Sequence, residues 1–323
     1  MKNKLFTLFV ASLLVVSCDN PVKNENPKVE EEEGVKITKD SVAKINIAPE
    51  EENEPYEFTE ESMLGFWVGY FYPENEHDYE HMISADEFSW FRQNKINISI
   101  DSLANGRVIG HSVVGGNNRP FVGEYQLEKN GRYSFEVKEP GDHGQDGAFS
   151  FSVFENALDG TWMAYKDVEI RKRKYNLEKR VYNYNPEIML DSRSRFIDWN
   201  KSRESEPDTM EYDGELEIWV NEEYASATNA IYEINASTTD LTEGDVENLK
   251  KSDLRIIRNT IYARHGYSFK NRPLRVFFDS QSWYIPVYSD ITKELSQTEL
   301  DNIQLLLRYE KNAEEYYDYF GRG

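Results

Sequence analysis

Apolar and polar residues alternate along much of the middle of the chain, from residue 63 to residue 184. In INISI (96–100) the isoleucines fall on one side of an extended backbone and the polar residues on the other, which is the period of a half-buried strand. The same alternation returns in YSFEV (133–137) and FSFSV (149–153). Residues 63–184 therefore predict an antiparallel β-meander.

Turn dipeptides separate these alternating segments. Asn or Asp followed by Gly tolerates the positive φ angles that two-residue hairpin turns require. We predict such turns at Asn105-Gly106, Asn130-Gly131, Asp146-Gly147 and Asp159-Gly160. A meander of this kind either closes as a small barrel or packs as a sandwich.

Periodicity is weak between residues 185 and 236, where polar and apolar residues mix without a sustained repeat. Within this segment, ELEIWV (215–220) has the alternation of a strand. We predict a connector with one short strand, partly packed through Ile188, Leu190, Phe196 and Trp199.

Helix signals dominate the end of the chain. Thr242 has the position of an N-cap, and Ser296 with Glu299 forms a Ser-x-x-Glu capping box. Between them, Ser252 is predicted to cap a helix that ends before Gly266, where glycine adopts the left-handed conformation after a C-terminus.

These patterns together predict an α+β, multidomain chain. The N-terminal antiparallel β-meander at 63–184, a small barrel or sandwich, is followed by the connector at 185–236 and a small, mainly helical C-terminal domain at 237–323. Hydrophobic residues make up 39% of the 323 positions. This length and composition suit about two globular units.

The first residues have the pattern of an export signal. Lys2 and Lys4 precede about a dozen apolar residues, whereas a membrane-spanning helix needs about 20. The apolar run ends at Val-Val-Ser-Cys18, which resembles the lipobox of bacterial lipoproteins. That resemblance implies removal of residues 1–17 as a signal peptide and acylation of Cys18 with chains such as palmitate. Two or three such chains anchor a protein stably to a membrane.

Residues 18–62 combine acidic clusters with four prolines and few apolar residues. Such a segment buries too little apolar surface to offset its ordering entropy, so we predict a largely disordered acidic tether. Cys18 is the only cysteine, which excludes an intramolecular disulfide.

The formal net charge is −22, and losing Lys2 and Lys4 with the signal peptide would make it −22 − 2 = −24. A surface this acidic repels nucleic acid, so we expect no nucleic-acid partner. An anionic ligand would need a local basic patch. The basic run RKRKY (171–175) is predicted to blunt the edge of a sheet.

IYARHGYSF (261–269), with Trp283-Tyr284 downstream, closely resembles the YARHG domain of bacterial extracytoplasmic proteins. The resemblance covers about residues 237 to 312. It implies an envelope-facing module, and no molecular activity is attached to the family.

A structural interpretation of this motif places His265 in the last turn of its helix. There the negative end of the helix dipole favours the protonated imidazole and offers free carbonyls. Tyr262 and Tyr267 are predicted to clasp the ring, and Trp283 and Tyr284 to close over the turn.

A binding interpretation uses the basic residues in and around the same helix: Lys250, Lys251, Arg255, Arg258, Arg264, Lys270, Arg272 and Arg275. Arginine forks beside aromatic rings suit carboxylates, phosphates and sugar faces. The predicted binding residues are Arg255, Arg258, Tyr262, Arg264, His265, Gly266, Trp283 and Tyr284. In a cell envelope their partner would be an anionic glycan or a protein.

Catalytic signals are weak. HDYEH (77–81) matches the string of inverted zinc metallopeptidases, in which His77 and His81 would bind zinc and Glu80 would activate water. Those enzymes carry the string on a long helix, whereas here it borders the β-meander, and Glu155 is the best remaining third ligand. A hydrolase that uses His265 is the other alternative. We expect no catalytic residue and no cofactor.

The sequence therefore predicts an outer-membrane lipoprotein of a Gram-negative bacterium, tethered by Cys18 and acting as a non-catalytic binding or scaffolding module. It leaves open periplasmic or surface orientation, ligand and oligomeric state. Ser41, Ser102 and Thr209 each follow an aspartate and precede an apolar residue, which resembles the O-glycosylation signal of Bacteroidetes.

Overall fold

The computed structural model describes residues 58–75, 77, 83–85 and 88–316, all within one compact unit, Pro55–Gly323. The predicted signal peptide, Cys18, Ser41 and most of the predicted tether lie outside the described residues. No helix in the described part of the chain is both long and apolar enough to cross a membrane.

Strands dominate the first two thirds of the described chain. They are β1 (Gly65–Pro73), β2 (Ile83–Ala85), β3 (Phe88–Trp90), β4 (Asn94–Ala104), β5 (Arg107–Val114), β6 (Asn117–Leu127), β7 (Tyr133–Lys138), β8 (Gly147–Phe154), β9 (Ala157–Ala164), β10 (Lys172–Arg180), β11 (Ile197–Glu204), β12 (Asp208–Tyr212), β13 (Glu215–Trp219) and β14 (Glu222–Ser226). β2 and β3 form a separate hairpin.

Eight of these strands close into an antiparallel barrel in the order β1-β10-β9-β8-β7-β6-β5-β4. β1 completes the ring because it pairs on both sides, with Trp67 opposite Ile98 of β4 and opposite Lys179 of β10. The predicted meander is confirmed, and of the two alternatives it forms the barrel. RKRKY lies at the start of β10 between two hydrogen-bonded neighbours, so the prediction that it blunts a sheet edge is wrong.

Inward-facing side chains fill this barrel as the alternation predicts. Trp67, Ile96, Ile98 and Ile100 have no solvent exposure. Each large apolar side chain buried in this way contributes about 1.5–3 kcal/mol.

A short helix closes one end of the barrel. α1 (Glu60–Met63) buries Met63, whose carbonyl accepts a hydrogen bond from Trp67 Nε1 at 2.9 Å. Tyr125 of β6 donates to Glu60 at 2.7 Å. The predicted tether limit at residue 62 is therefore too late, because the residues before Met63 already pack on the barrel.

One of the predicted two-residue turns forms as expected: Asn105-Gly106 joins β4 to β5, and both residues have positive φ. Asn130-Gly131 also lies between two strands, but in a five-residue connection (128–132) from β6 to β7, where Gly131 has a positive φ. Asp146-Gly147 is not a two-residue turn, because Asp146 belongs to a longer loop and Gly147 begins β8.

Asp159-Gly160 is a wrong prediction, because both residues lie inside β9. A Cβ on Gly160 would lie 2.5 Å from Phe151 Cβ and 2.8 Å from the Tyr175 hydroxyl. Glycine is therefore needed there for close packing inside the barrel and not for a turn.

The predicted connector holds more structure than the single short strand expected. β11 pairs with β14, and β12 pairs with β13 as an exposed hairpin. Leu190 and Phe196 are buried in the second hydrophobic core, so this segment belongs to the C-terminal structure.

Four helices build the C-terminal region: α2 (Glu243–Val246), α3 (Lys251–Arg264), α4 (Arg272–Asp279) and α5 (Gln297–Tyr316). α3 packs against α5 around a core that includes Ile257, Ile261, Phe278 and Leu306.

Of the three helix caps predicted from the sequence, two form and one does not. Thr242 precedes α2 as predicted, and the Ser296–Glu299 capping box is present, with Ser296 N donating to Glu299 at 2.9 Å and Glu299 N donating to Ser296 Oγ at 3.2 Å. Ser252 is not the cap of α3. Lys250 holds that position, and the Ser252 hydroxyl donates to the Ser226 carbonyl at 2.8 Å.

Hydrogen bonds join the barrel to the helical region. Lys95 of β4 donates through its backbone N to the Asp279 carboxylate at 2.7 Å. Its Nζ donates to the carbonyls of Gln281 at 2.8 Å and Tyr284 at 3.1 Å. Burial lowers the pKa of Lys95 to about 8, and burial also raises the pKa of Asp279 to about 7. This contact places α4 over one end of the barrel.

Candidate functional site

The YARHG motif ends α3 with a Schellman motif. Gly266 has a φ of +70°, its N–H donates to Ala263 O at 2.9 Å, and Tyr267 N donates to Tyr262 O at 3.0 Å. These two bonds satisfy carbonyls that a helix end leaves free. The predicted role of Gly266 as the residue after the helix end is confirmed.

His265 is buried and bonded to a carboxylate. Its Nε2 lies 2.9 Å and 3.0 Å from the two oxygens of Glu299, whose side chain has no solvent exposure. The His265 ring stacks on Tyr184 at a centroid distance of 4.1 Å, and the Tyr184 hydroxyl donates to Glu299 at 2.9 Å. The prediction that Tyr262 and Tyr267 clasp this ring is therefore wrong, and so is its bonding to free carbonyls.

The Glu299 carboxylate is held ionised at this position. Burial alone would raise its pKa, but hydrogen bonds from His265 and from the Ser296 backbone lower it to about 2. An ionised carboxylate only accepts hydrogen bonds, so His265 Nε2 carries the hydrogen that it donates.

Arg264 faces the protein interior. Its Nε donates to Ile188 O at 2.8 Å and its Nη1 donates to Ser237 Oγ at 3.1 Å. Burial lowers its pKa to about 10. The motif arginine therefore joins α3 to the segment before β11.

The two other predicted arginines also have partners within the chain. Arg255 lies 3.3 Å from the Asp198 carboxylate, and Arg258 forms two hydrogen bonds with Glu310, at 2.5 Å and 3.0 Å. Arg255 and Arg258 of the predicted basic binding surface are therefore engaged in internal ion pairs.

Tyr284 closes over the turn as the structural interpretation predicts, whereas Trp283 packs beside Tyr284 at the margin of the second hydrophobic core. The buried Tyr284 hydroxyl donates to Tyr267 O at 2.7 Å. The structure brings His265, Gly266 and Tyr284 together around the end of α3, whereas Arg255 and Arg258 lie earlier in that helix. Tyr184 and Asp198 are the contributors that the sequence did not identify, because both lie far from the motif in the chain.

An apolar groove lies beside the motif, with a volume of about 660 Å³. Its walls come from the end of α3, the start of α4, the start of α5 and the loop before α5. We call it the YARHG groove, and its main apolar residues are Tyr262, Tyr267, Phe269, Leu274, Ile291 and Ile303. Two motif tyrosines thus face a space large enough for a few side chains.

The zinc alternative gains no support from the described residues. His77 follows β1, near the barrel end where β4 begins, whereas Glu155 lies in the β8–β9 turn at the opposite end. Glu80 and His81 lie outside the described part of the chain. Among the residues that the structure describes, no three metal-binding side chains are grouped.

Residues 229–311 match the sequence model of the YARHG domain. No curated protein and no solved structure matches the chain. The matched region begins eight residues before the predicted boundary (237 − 229), which places the 3₁₀ turn Asn229–Tyr232 inside the domain. The chain therefore carries a C-terminal YARHG domain, whose signature residues form the end of α3 and its contacts.

Proposed function

We propose that this protein is a non-catalytic binding module of the cell envelope, anchored by lipid at Cys18. In this proposal the YARHG groove holds an apolar segment of a protein partner. The observation that carries the proposal is an apolar groove beside the motif, next to a helix whose arginines Arg255, Arg258 and Arg264 already have partners within the chain.

The lining of the YARHG groove favours a protein segment over an anionic glycan. Eight of its fourteen lining residues are apolar or aromatic, and the only charged ones are Lys270 and Asp290. An anionic sugar would need more cations than the single Lys270, whose charge Asp290 balances within the lining. Apolar clefts with a few polar groups at the edge are typical sites for side chains of a partner.

Charge further restricts the partner. The chain carries 59 acidic and 37 basic residues. A partner with basic residues on either side of its apolar segment would be attracted by this surface, whereas an acidic one would be repelled. We therefore propose an apolar segment with basic flanks.

The absence of catalysis in this proposal rests on the environment of His265. The side chain is 4% exposed, its ring is stacked on Tyr184, and Nε2 is bonded to Glu299. A substrate would have to displace packed residues to reach it.

Anchoring is tested with Cys18→Ser in a Gram-negative host. The full chain is expected in the membrane fraction, and the Cys18→Ser variant in the soluble fraction, because the variant has no thiol to acylate. Ser41→Ala, in the predicted tether, is the matched control and is expected to stay with membranes. Equal membrane association of all three proteins would contradict the lipid anchor.

Partner binding is tested by filling the YARHG groove. Ser289 is exposed and lines the groove, so Ser289→Trp blocks it without disturbing the core. Cross-linked capture from envelopes with the full chain is expected to yield a protein that Ser289→Trp loses. Gln304→Trp, on the exposed side of α5, is expected to retain it.

The captured protein is then identified and its apolar segment is made as a peptide. That peptide is expected to bind the full chain at least tenfold more tightly than it binds Ser289→Trp. Equal capture by both tryptophan variants, or loss from both, would show that the YARHG groove is not the binding site.

A further inference from the structure

A second cavity lies where α4 covers the end of the barrel, and it has a volume of about 240 Å³. Its walls come from barrel strands, from β3 and the loops at that end of the barrel, and from the first turn of α4, so neither part of the chain forms it alone. Five arginines line it: Arg92, Arg119, Arg173, Arg272 and Arg275. We call it the arginine cavity.

Some of these arginines are engaged within the barrel. Arg119 donates two hydrogen bonds to Asp146, at 2.9 Å and 2.8 Å. Arg92 forms an ion pair with Glu169 at 2.5 Å. Arg173 donates to the backbone carbonyls of Phe71 and Arg92. These contacts fix the cationic wall in place.

The two arginines of α4 differ from the others. In the described part of the chain, no carboxylate is close enough to form an ion pair with either Arg272 or Arg275. Arg272 is exposed and its guanidinium lies over the Trp90 ring at 5.3 Å. Arg275 donates from Nη1 to Lys270 O at 3.2 Å, and its buried Nε has no hydrogen-bond partner. An incompletely bonded, partly buried guanidinium is costly unless an acceptor reaches it.

The one buried acid of the arginine cavity does not neutralise these arginines. Glu139 accepts hydrogen bonds from Ser112 Oγ at 3.0 Å and from Gly147 N at 2.7 Å. Burial raises the pKa of this carboxyl above its usual value. Its oxygens therefore have donors of their own. Burial lowers the pKa of Arg275 and the nearby Asp279 carboxylate opposes that shift, yet the Arg275 Nε still has no hydrogen-bond partner and can donate to a ligand oxyanion.

Aromatic rings form the other walls. Phe71, Trp90, Phe149 and Trp162 line the arginine cavity and each is less than a tenth exposed. Such rings pack against the apolar face of a sugar or another small ring. The volume falls just below the about 300–1,000 Å³ of pockets for drug-sized ligands, so an occupant is no larger than about a monosaccharide.

We propose that the arginine cavity binds a compact organic oxyanion, a carboxylate or phosphate carried on a ring of monosaccharide size. The anionic group lies between Arg272 and Arg275, and the ring packs against the aromatic wall on the barrel side, which includes Phe71, Phe149 and Trp162. The site is separate from the YARHG groove and gives the barrel and the YARHG domain a shared ligand. Arg272 and Arg275 belong to the YARHG domain, but they lie on α4, whereas the signature motif lies at the end of α3.

The test is calorimetric titration of the detergent-solubilised full chain, with tryptophan fluorescence as a second readout. D-glucuronate carries the carboxylate, glucose 6-phosphate carries the phosphate, and D-glucose is the neutral probe. At least one charged probe is expected to bind with one-to-one stoichiometry and at least tenfold more tightly than glucose. Comparison of the two charged probes identifies which oxyanion the site prefers.

The variant Arg272→Gln/Arg275→Gln is expected to weaken that binding at least tenfold. Its matched control is Arg107→Gln/Arg132→Gln, which removes the same charge from exposed positions at the other end of the barrel. That control and the groove variant Ser289→Trp are expected to bind within twofold of the unaltered chain. Arg272→Gln alone, at an exposed position, supplies the result if the double variant does not fold.

Any of three results would overturn this proposal. The first is that neither charged probe shows saturable binding, and the second is that glucose binds as tightly as the charged probes. The third is that the two double variants weaken binding equally, since that would reflect overall charge and not the arginine cavity.

Discussion

Replacing Glu299 with glutamine is expected to lower the free energy of unfolding by about 3 kcal/mol, because it removes one partner of a buried pair. The carboxylate accepts from His265, Tyr184 and the Ser296 backbone. One substitution thus weakens the His265 contact, the Tyr184 contact and the N-cap of α5 together. Chemical denaturation at pH 7 measures the loss.

The His265–Glu299 pair also predicts how the difference in stability between the unaltered chain and Glu299→Gln depends on pH. The folded-state pKa of Glu299 is about 2, below its ordinary value of 4.5. Between these values the unfolded chain binds the proton more readily, so the contribution of Glu299 is present above about pH 4.5 and is lost as pH falls toward 2. The difference between the unaltered chain and Glu299→Gln should therefore shrink between pH 5 and pH 3.

Glu247→Gln is the control for this experiment. Glu247 is exposed just after α2, so its loss is expected to change stability by less than about 0.5 kcal/mol. If Glu299→Gln were as stable as Glu247→Gln at pH 7, the carboxylate would not stabilise the motif.

Replacing Arg264 with methionine is expected to lower the free energy of unfolding by about 2 kcal/mol. Methionine fills much of the same volume but leaves Ile188 O and Ser237 Oγ without their donor, and hydrogen bonds from charged groups are worth about 1.5–3 kcal/mol. Burial of the guanidinium charge offsets part of the stabilisation from these hydrogen bonds, as the Arg264 pKa of about 10 indicates. We therefore expect a loss of stability in the lower part of the range of about 1.5–3 kcal/mol.

Arg308→Met is the matched control for Arg264→Met. Arg308 pairs with Glu243 on the surface of α5, where both side chains are more than half exposed. Such pairs contribute about 0–1 kcal/mol, so thermal and chemical denaturation should separate the two variants clearly. If Arg264→Met and Arg308→Met destabilised the protein equally, Arg264 would have no special structural role. That result would favour the binding interpretation of the motif.

Local sequence signals predicted much of this fold. Alternation at INISI placed a barrel strand correctly, since its three isoleucines are fully buried. The prediction that this strand is half-buried is wrong, because Asn97 and Ser99 on the other face are buried as well, and Asn97 donates to the Pro286 carbonyl. The Ser296–Glu299 capping box identified the start of α5 from four adjacent residues. Gly160 was misread because the same dipeptide serves a turn in one place and close packing in another.

The candidate sites depend on contacts between distant segments, and these were beyond local reasoning. Arg255 and Arg258 resembled a binding surface because their partners, Asp198 and Glu310, lie 57 and 52 residues away. The arginine cavity combines β-strand residues with α4, and no single segment of sequence contains that combination. Composition identified an acidic chain but could not show where its arginines converge.

The contact between Lys95 and the loop after α4 limits how freely this YARHG domain can be exchanged between proteins. Deletion from residue 237 would leave the Lys95 ammonium without two carbonyl acceptors, and would remove the Pro286 carbonyl to which the Asn97 amide donates. Conversely, if the YARHG domain were grafted onto another protein, its Asp279 carboxylate would lose the hydrogen bond that the Lys95 backbone N–H donates to it. Recombination that joins this domain to a new neighbour must therefore replace a matched set of polar groups, so the two parts are expected to be inherited together.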